Sequence, residues 1–247
     1  MRADELLQIA KLMGLKPWQQ EKHYIQSLAL VTLSEIAIIF KGGTYLWFFH
    51  GLKRFSEDLD FTASAKLPDN LPEQVSEGLK LFGVENKIKR IKQDEIATSF
   101  RISAKGPLNV SEINMCIIYV EISKREVVLR NPIPLTFGYP AYNLPTKQLL
   151  GMDLEEVGAE KIRAISKRNA PRDVYDLYYL ITKKGIKFNK ELVNQKMSYY
   201  KTKFSRAKFL KDVANKERNY SADLKSIVYE TLPSFKVVEE SIREWVP

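Results

Sequence analysis

Ile36-Ala37-Ile38-Ile39-Phe40-Lys41-Gly42-Gly43-Thr44, followed by Ser56-Glu57-Asp58-Leu59-Asp60-Phe61, is the stretch whose reading decides the fold. The apolar, β-branched run ending in Gly42-Gly43 predicts a buried strand that enters a tight turn. Thr44 then opens a short helix, Tyr45 to His50, which Gly51 stops. From Asp58 to Phe61 acidic and apolar residues alternate, as on a second strand. Positions i and i+2 of a strand face the same way, about 6.5–7 Å apart. Asp58 and Asp60 therefore point together, while Leu59 and Phe61 face the core. Two carboxylates held that close repel unless a cation sits between them, and hard oxygen donors on one face suit Mg²⁺. The two glycines let the backbone approach a ligand closely, and the helix start offers N–H groups to a phosphate. The Gly-x4-Gly-Lys spacing of a P-loop is missing. Taken singly, Gly-Gly is as good a plain turn, and Asp-x-Asp as good a solvated strand face. Their order is what matters: it aims a phosphate-binding helix start at a metal-binding pair, a layout suited to phosphoryl or nucleotidyl transfer.

Working outward, residues 3–13 and about 18–33 carry apolar side chains at helical steps. A loop at 64–72 precedes a helix at about 73–82. Alternating runs at Val84–Ile91, Thr98–Ser103, Ile113–Ile122 and Val127–Leu129 predict strands of a mixed sheet. Pro132, Pro134, Gly138, Pro140 and Pro145 mark a non-helical passage, and a domain boundary is expected near residue 145. The expected domains are thus a core over 1–145 and a helical domain over 146–247.

Further residues could carry chemistry. Glu121 shares one strand face with Ile117, Tyr119 and Ser123 and is the leading third carboxylate, with Glu112 and Glu126 as alternatives near strand ends. Plotted at 100° per residue, Leu154 to Arg168 gathers its apolar side chains on one side, and Lys161 falls in the middle of it. Such a lysine either snorkels or meets a buried anion, and a triphosphate is one such anion. Asp173 reads as a helix-start acid stabilised by the helix dipole. Asp176 sits in apolar surroundings and so faces a partner or a cleft, and Arg168 and Arg172 are placed to pair with these acids or with nucleic acid. Lys183 to Arg218 interleaves basic residues with Tyr199, Tyr200, Phe204 and Phe209. Aromatics turned inward under solvated lysines is the plainer reading, and RNA binding the other.

Composition bounds the answer. A net charge of +9 favours a polyanionic partner. The single cysteine, Cys116, lies in an apolar run and reads as a small buried hydrophobe, which fits a reducing cytoplasm. No apolar run approaches the roughly 18 residues that span a bilayer, and no cleavable leader is read.

Taken together, these residues resemble the AbiEii/AbiGii family of nucleotidyltransferase-like toxins. The resemblance rests on Glu21-Lys22, Lys41-Gly42-Gly43-Thr44-Tyr45-Leu46, Arg54-Phe55-Ser56-Glu57-Asp58-Leu59-Asp60-Phe61, Glu160-Lys161-Ile162-Arg163-Ala164 and Arg172-Asp173-Val174-Tyr175-Asp176-Leu177, in that order over about residues 20–180. It implies an α+β fold: a polymerase-β-like nucleotidyltransferase core, a mixed sheet flanked by helices, followed by a helical C-terminal domain. It implies that Gly43, Thr44 and Ser56 help hold the triphosphate and that Lys161 contacts phosphate. Asp58 and Asp60 would bind Mg²⁺ (two ions, with Mn²⁺ as the alternative), and Asp176 would be a further active-site residue. Family members studied as toxins pair with an antitoxin, and some add nucleotides to the 3′ end of tRNA. Two departures stand out: position 23 is His where an acid is common, and the third carboxylate is Glu121 rather than a clear Asp.

The leading expectation is therefore a metal-dependent transferase using an NTP and acting on tRNA. In it Lys41, Gly42, Gly43, Thr44, Ser56 and Lys161 position the nucleotide, and Glu121 assists a metal or accepts a proton. The alternatives are NMP transfer onto a protein hydroxyl, a kinase-like phosphotransfer, and a non-catalytic NTP-binding module.

Overall fold

In the computed structural model β1 (Ile38–Lys41) runs straight into α3 (Gly42–His50), and β2 (Leu59–Ala63) returns antiparallel beside β1. The structure describes residues 1–247 except the side chain of Glu112, so that alternative third carboxylate lies outside the described residues. The helix expected from Tyr45 begins earlier, at Gly42, because Gly42 takes φ +78° and turns the chain directly off the strand.

The remaining elements of the first half are α1 (Ala3–Met13), α2 (Pro17–Leu33), α4 (Leu71–Leu81), β3 (Asn86–Gln93), β4 (Ala97–Ala104), β5 (Cys116–Ser123), β6 (Ile133–Phe137) and β7 (Lys147–Gly151). The strands form one mixed sheet in the order β3-β4-β5-β2-β1-β7-β6. Strands β2 and β5 pair in parallel, as do β1 and β7. Helix α2 packs on α1, α4 and β5, and the core closes on Leu28, Val75, Phe100, Ile118 and Val120.

One expectation about a strand fails for a local reason. Val127–Leu129 forms no strand: the Leu129 and Arg130 N–H groups donate instead to the Glu156 carboxylate, at 2.8–3.1 Å. The proline-marked passage, expected to be non-helical, holds the strand β6. Pro134 is tolerated there because β6 is an edge strand, where a missing N–H costs no ladder bond on the open side.

The chain forms two compact units. One comprises Met1–Tyr45, Glu57–Val127 and Ile133–Gly151; the other comprises Leu46–Ser56, Val128–Pro132 and Met152–Pro247. The first contains the whole sheet. The second is helical, with α5 (Leu154–Lys167), α6 (Pro171–Lys184), α7 (Lys190–Ser198), α8 (Arg206–Ala214), α9 (Glu217–Leu224) and α10 (Phe235–Trp245). No helix among the described residues is long and apolar enough to cross a membrane.

Candidate active site

In the first unit, burial alternates over Asp58–Phe61 as the sequence requires: Leu59 and Phe61 are buried, whereas Asp60 and Asp58, the residue just before β2, are half-buried. Both acids are thus kept off the core and on one side. The register pairs Asp60 with Lys41 on β1 and with Glu121 on β5. Paired residues of neighbouring strands share a face, so Asp60, Glu121 and Lys41 stand on the same side of the sheet. Glu121 is exposed. Lys41 is nearly buried and lies 3.6 Å from Glu126, so Glu126 serves as an ion-pair partner of Lys41.

Gly42 has a use that the sequence alone does not show. A Cβ there would sit 2.4 Å from Asp60 Oδ2 and 2.9 Å from Asp60 Cβ. The absence of a side chain at 42 therefore makes room for the Asp60 carboxylate, and the positive φ is also one that glycine adopts without strain. Gly42, Gly43 and Thr44 form the first turn of α3, whose N–H groups have no partner within the helix. The Thr44 side chain is buried, and its hydroxyl donates to the Asp58 carbonyl at 2.5 Å. That bond fixes the segment leading into β2 against the start of the helix. Behind it, Gln26 Nε2 donates to the Glu57 carbonyl at 2.9 Å, and Lys22 pairs with the Glu57 carboxylate at 2.5 Å.

Glu21 accepts from the Leu108 N–H at 2.6 Å, and burial raises its pKa above the usual carboxylate value. His23 is buried with Nδ1 2.7 Å from the Tyr142 hydroxyl, and burial pushes its pKa down to about 3. A neutral, packed imidazole of this kind does not stand in for the acid that the resemblance leads one to expect there. Cys116 is buried, and burial pushes its thiol up to about 12, so it is an inert hydrophobe as its surroundings suggest.

In the second unit Lys161 is buried and does meet anions: its Nζ lies 3.0 Å from Asp173 Oδ1 and 2.5 Å from Asp176 Oδ2. Asp176 also takes a two-pronged contact from Arg54, with Nε to Oδ1 at 2.5 Å and Nη2 to Oδ2 at 2.6 Å. Asp173 takes a second pair from Arg168, at 2.7 and 2.9 Å. Burial alone would raise both aspartates. The charges of Lys161 and Arg168 at Asp173, and of Arg54 and Lys161 at Asp176, outweigh it and hold both carboxyls below the ordinary value. Three cations thus face two carboxylates. Arg54 is the member that sequence reasoning missed, and the available signal was a cation set among Leu52 and Phe55. Ser56, expected at the nucleotide, follows two residues later and is half-buried.

Residues 28–245 match the family described as "Nucleotidyl transferase AbiEii toxin, Type IV TA system". The chain belongs to this family. Two solved structures share its fold. JHP933 from Helicobacter pylori is 18% identical with a TM-score of 0.61, covering 93% of this chain and 90% of its own. MenT4, a nucleotidyltransferase toxin from Mycobacterium tuberculosis, is 18% identical with a TM-score of 0.63, covering 97% and 87%. No curated protein matches the sequence. This member of the AbiEii family is a nucleotidyltransferase, and its fold is the α+β one that the resemblance implied.

Proposed function

We propose that this AbiEii-family enzyme transfers a nucleotide from an NTP to the 3′ end of tRNA, as the toxin partner of an antitoxin. One observation carries the reading: a pair of half-buried acids, Asp58 and Asp60, set beside a glycine whose missing side chain leaves space for the second of them. Basic charge, +9 overall, supports a polyanionic acceptor.

Asp58 and Asp60 would hold Mg²⁺, two ions being expected and Mn²⁺ the alternative. The donor set fits: hard carboxylate oxygens on one sheet face, with Glu121 alongside. Among the described residues no three His, Cys, Asp or Glu side chains gather closely enough to enclose an ion alone, so triphosphate oxygens would complete its shell. When bound, the metal neutralises the triphosphate and favours the attacking hydroxylate. The chain's own residues do the rest. The first turn of α3, at Gly42, Gly43 and Thr44, offers N–H groups to the phosphates, and Lys41 adds charge beside Asp60. Glu121, exposed at the pair, accepts the acceptor hydroxyl's proton. The acceptor oxygen bonds to the α-phosphorus, the bond from that phosphorus to the β-phosphate oxygen breaks, and pyrophosphate leaves. The triphosphate roles that the family resemblance gives Ser56 and Lys161, and the active-site role it gives Asp176, stay part of the proposal.

The test is incubation with total tRNA, Mg²⁺ and each NTP labelled at the α-phosphate. Label on RNA with one NTP, lost in Asp58→Asn, is the expected result. Label on protein instead would replace the acceptor, and transfer of γ-label alone would replace the reaction by phosphotransfer.

A further inference from the structure

The face that carries Asp60 continues across the sheet. Register aligns Lys92, Ser99, Glu121 and Asp60 in one row over β3, β4, β5 and β2. The next row on the same face is Lys89, Arg101 and Tyr119. The alternate residues Ile102, Ile118 and Val120 are buried in the core, so this second row belongs to the open face. Tyr119 is 45% exposed, and no other ring stacks on it among the described residues. Arg101 is half-buried, and its Nε has no hydrogen-bond partner among the described residues. Lys87, Lys89, Arg90 and Lys92 are all exposed along β3.

Lysines on an edge strand also guard against pairing with another chain. That explanation covers β3 and stops there, because Arg101 and Tyr119 lie on interior strands. An exposed ring flanked by cations is what a flexible nucleic-acid strand requires, since any base can stack on the ring while phosphates meet the charges. A duplex keeps its bases inside and cannot use the ring. Tyr119 and Glu121 are two apart on β5, so a base on the ring is within about 7 Å of the carboxylate row. In the other aromatic and basic region, Lys183 to Arg218, three of the four rings are turned inward or covered, and Tyr199 is 37% exposed. Phe209 is buried, Phe204 packs against Phe188 and Phe209, and Tyr200 lies under Arg163 at 4.6 Å.

We propose that Lys89, Arg101 and Tyr119 form a docking track for a single-stranded RNA end, which leads its terminal hydroxyl toward Asp60 and Glu121. This rests on the reading of RNA as acceptor. The test measures binding of the full-length protein to a short fluorescent single-stranded RNA by anisotropy across a salt series, with a blunt duplex as comparison. Tyr119→Ala is expected to weaken binding about tenfold or more while Tyr119→Phe binds as the parent does. Arg101→Gln and Lys89→Gln should each make the salt dependence shallower, by about 0.7 in the log–log slope. Melting curves matching the parent establish that the variants are folded. Unchanged affinity in both Tyr119→Ala and Arg101→Gln overturns the track, as does equal preference for the duplex. If RNA is still labelled at the parent's rate in these two variants, the track fails and the RNA-transfer reading stands. If the parent binds no RNA and labels a protein, both fail.

Discussion

Asp60 and Glu121 are register partners on adjacent parallel strands, so two carboxylates share one face with a single inter-strand spacing between them. Like charges placed directly opposite on a sheet destabilise it, by roughly 0.2–1 kcal/mol. In chelator, Glu121→Gln should therefore melt about 1–4 °C higher than the parent. Adding Mg²⁺ should raise the parent's melting temperature but leave Asp60→Asn nearly unmoved. Calorimetry with and without Mg²⁺ checks both statements, and a lower melting temperature for Glu121→Gln in chelator would refute the repulsion.

Gly42 is the next residue to test, because both its φ of +78° and its closeness to Asp60 forbid a side chain. Alanine there must displace the Asp60 carboxylate or move the start of α3. The expected cost is about 1–3 kcal/mol by urea unfolding, with transfer down at least tenfold. Were Gly42→Ala to keep full activity, the cleared space at Asp60 would be irrelevant to catalysis.

These two relationships also show what a sequence can and cannot disclose. Asp58-Leu59-Asp60 was legible because strand alternation is local: two adjacent apolar residues fix which way the acids point. The Gly-Gly turn was legible as a turn, but its function as clearance for Asp60 depends on β2 coming back beside β1. Strand β7 was read as part of the helical region because its parallel partner, β1, lies more than a hundred residues earlier, and no local pattern encodes that pairing. Lys161 illustrates a half-success. Its place on an apolar helix side left snorkelling or a buried anion, and the anions turned out to be Asp173 and Asp176 of the following helix. Arg54 could not be matched to Asp176, which lies 122 positions away.

Thr44 bears on how Asp58 is held. Its hydroxyl donates to the Asp58 carbonyl, and Thr44→Val removes that bond. A loss of about 1 kcal/mol is expected in chemical denaturation. Transfer should fall about tenfold, since a loosened Asp58 is no longer fixed beside α3. Thr44→Ser keeps the donor and should recover most of the activity. If serine and valine behave alike, the hydroxyl is not what positions Asp58.

The buried cluster of Arg54, Lys161, Asp173 and Asp176 makes a prediction about acid. Removing one partner of a buried pair leaves the other uncompensated, and Asp176→Asn should cost about 3–5 kcal/mol. Both aspartates have folded pKa values below the ordinary 3.8, so the folded state favours their ionised form. A depressed carboxyl contributes stability that is complete above the unfolded value and is lost as pH falls through the folded one. The parent should therefore lose stability steeply below about pH 4, as protons are taken up on unfolding. Asp176→Asn has one such group fewer, so its stability curve should start lower at neutral pH and fall less steeply in acid. Equilibrium unfolding in urea at successive pH values compares the two slopes. Parallel curves below pH 4 would mean that Asp176 keeps an ordinary pKa when folded, and that its contacts with Arg54 and Lys161 do not hold it ionised.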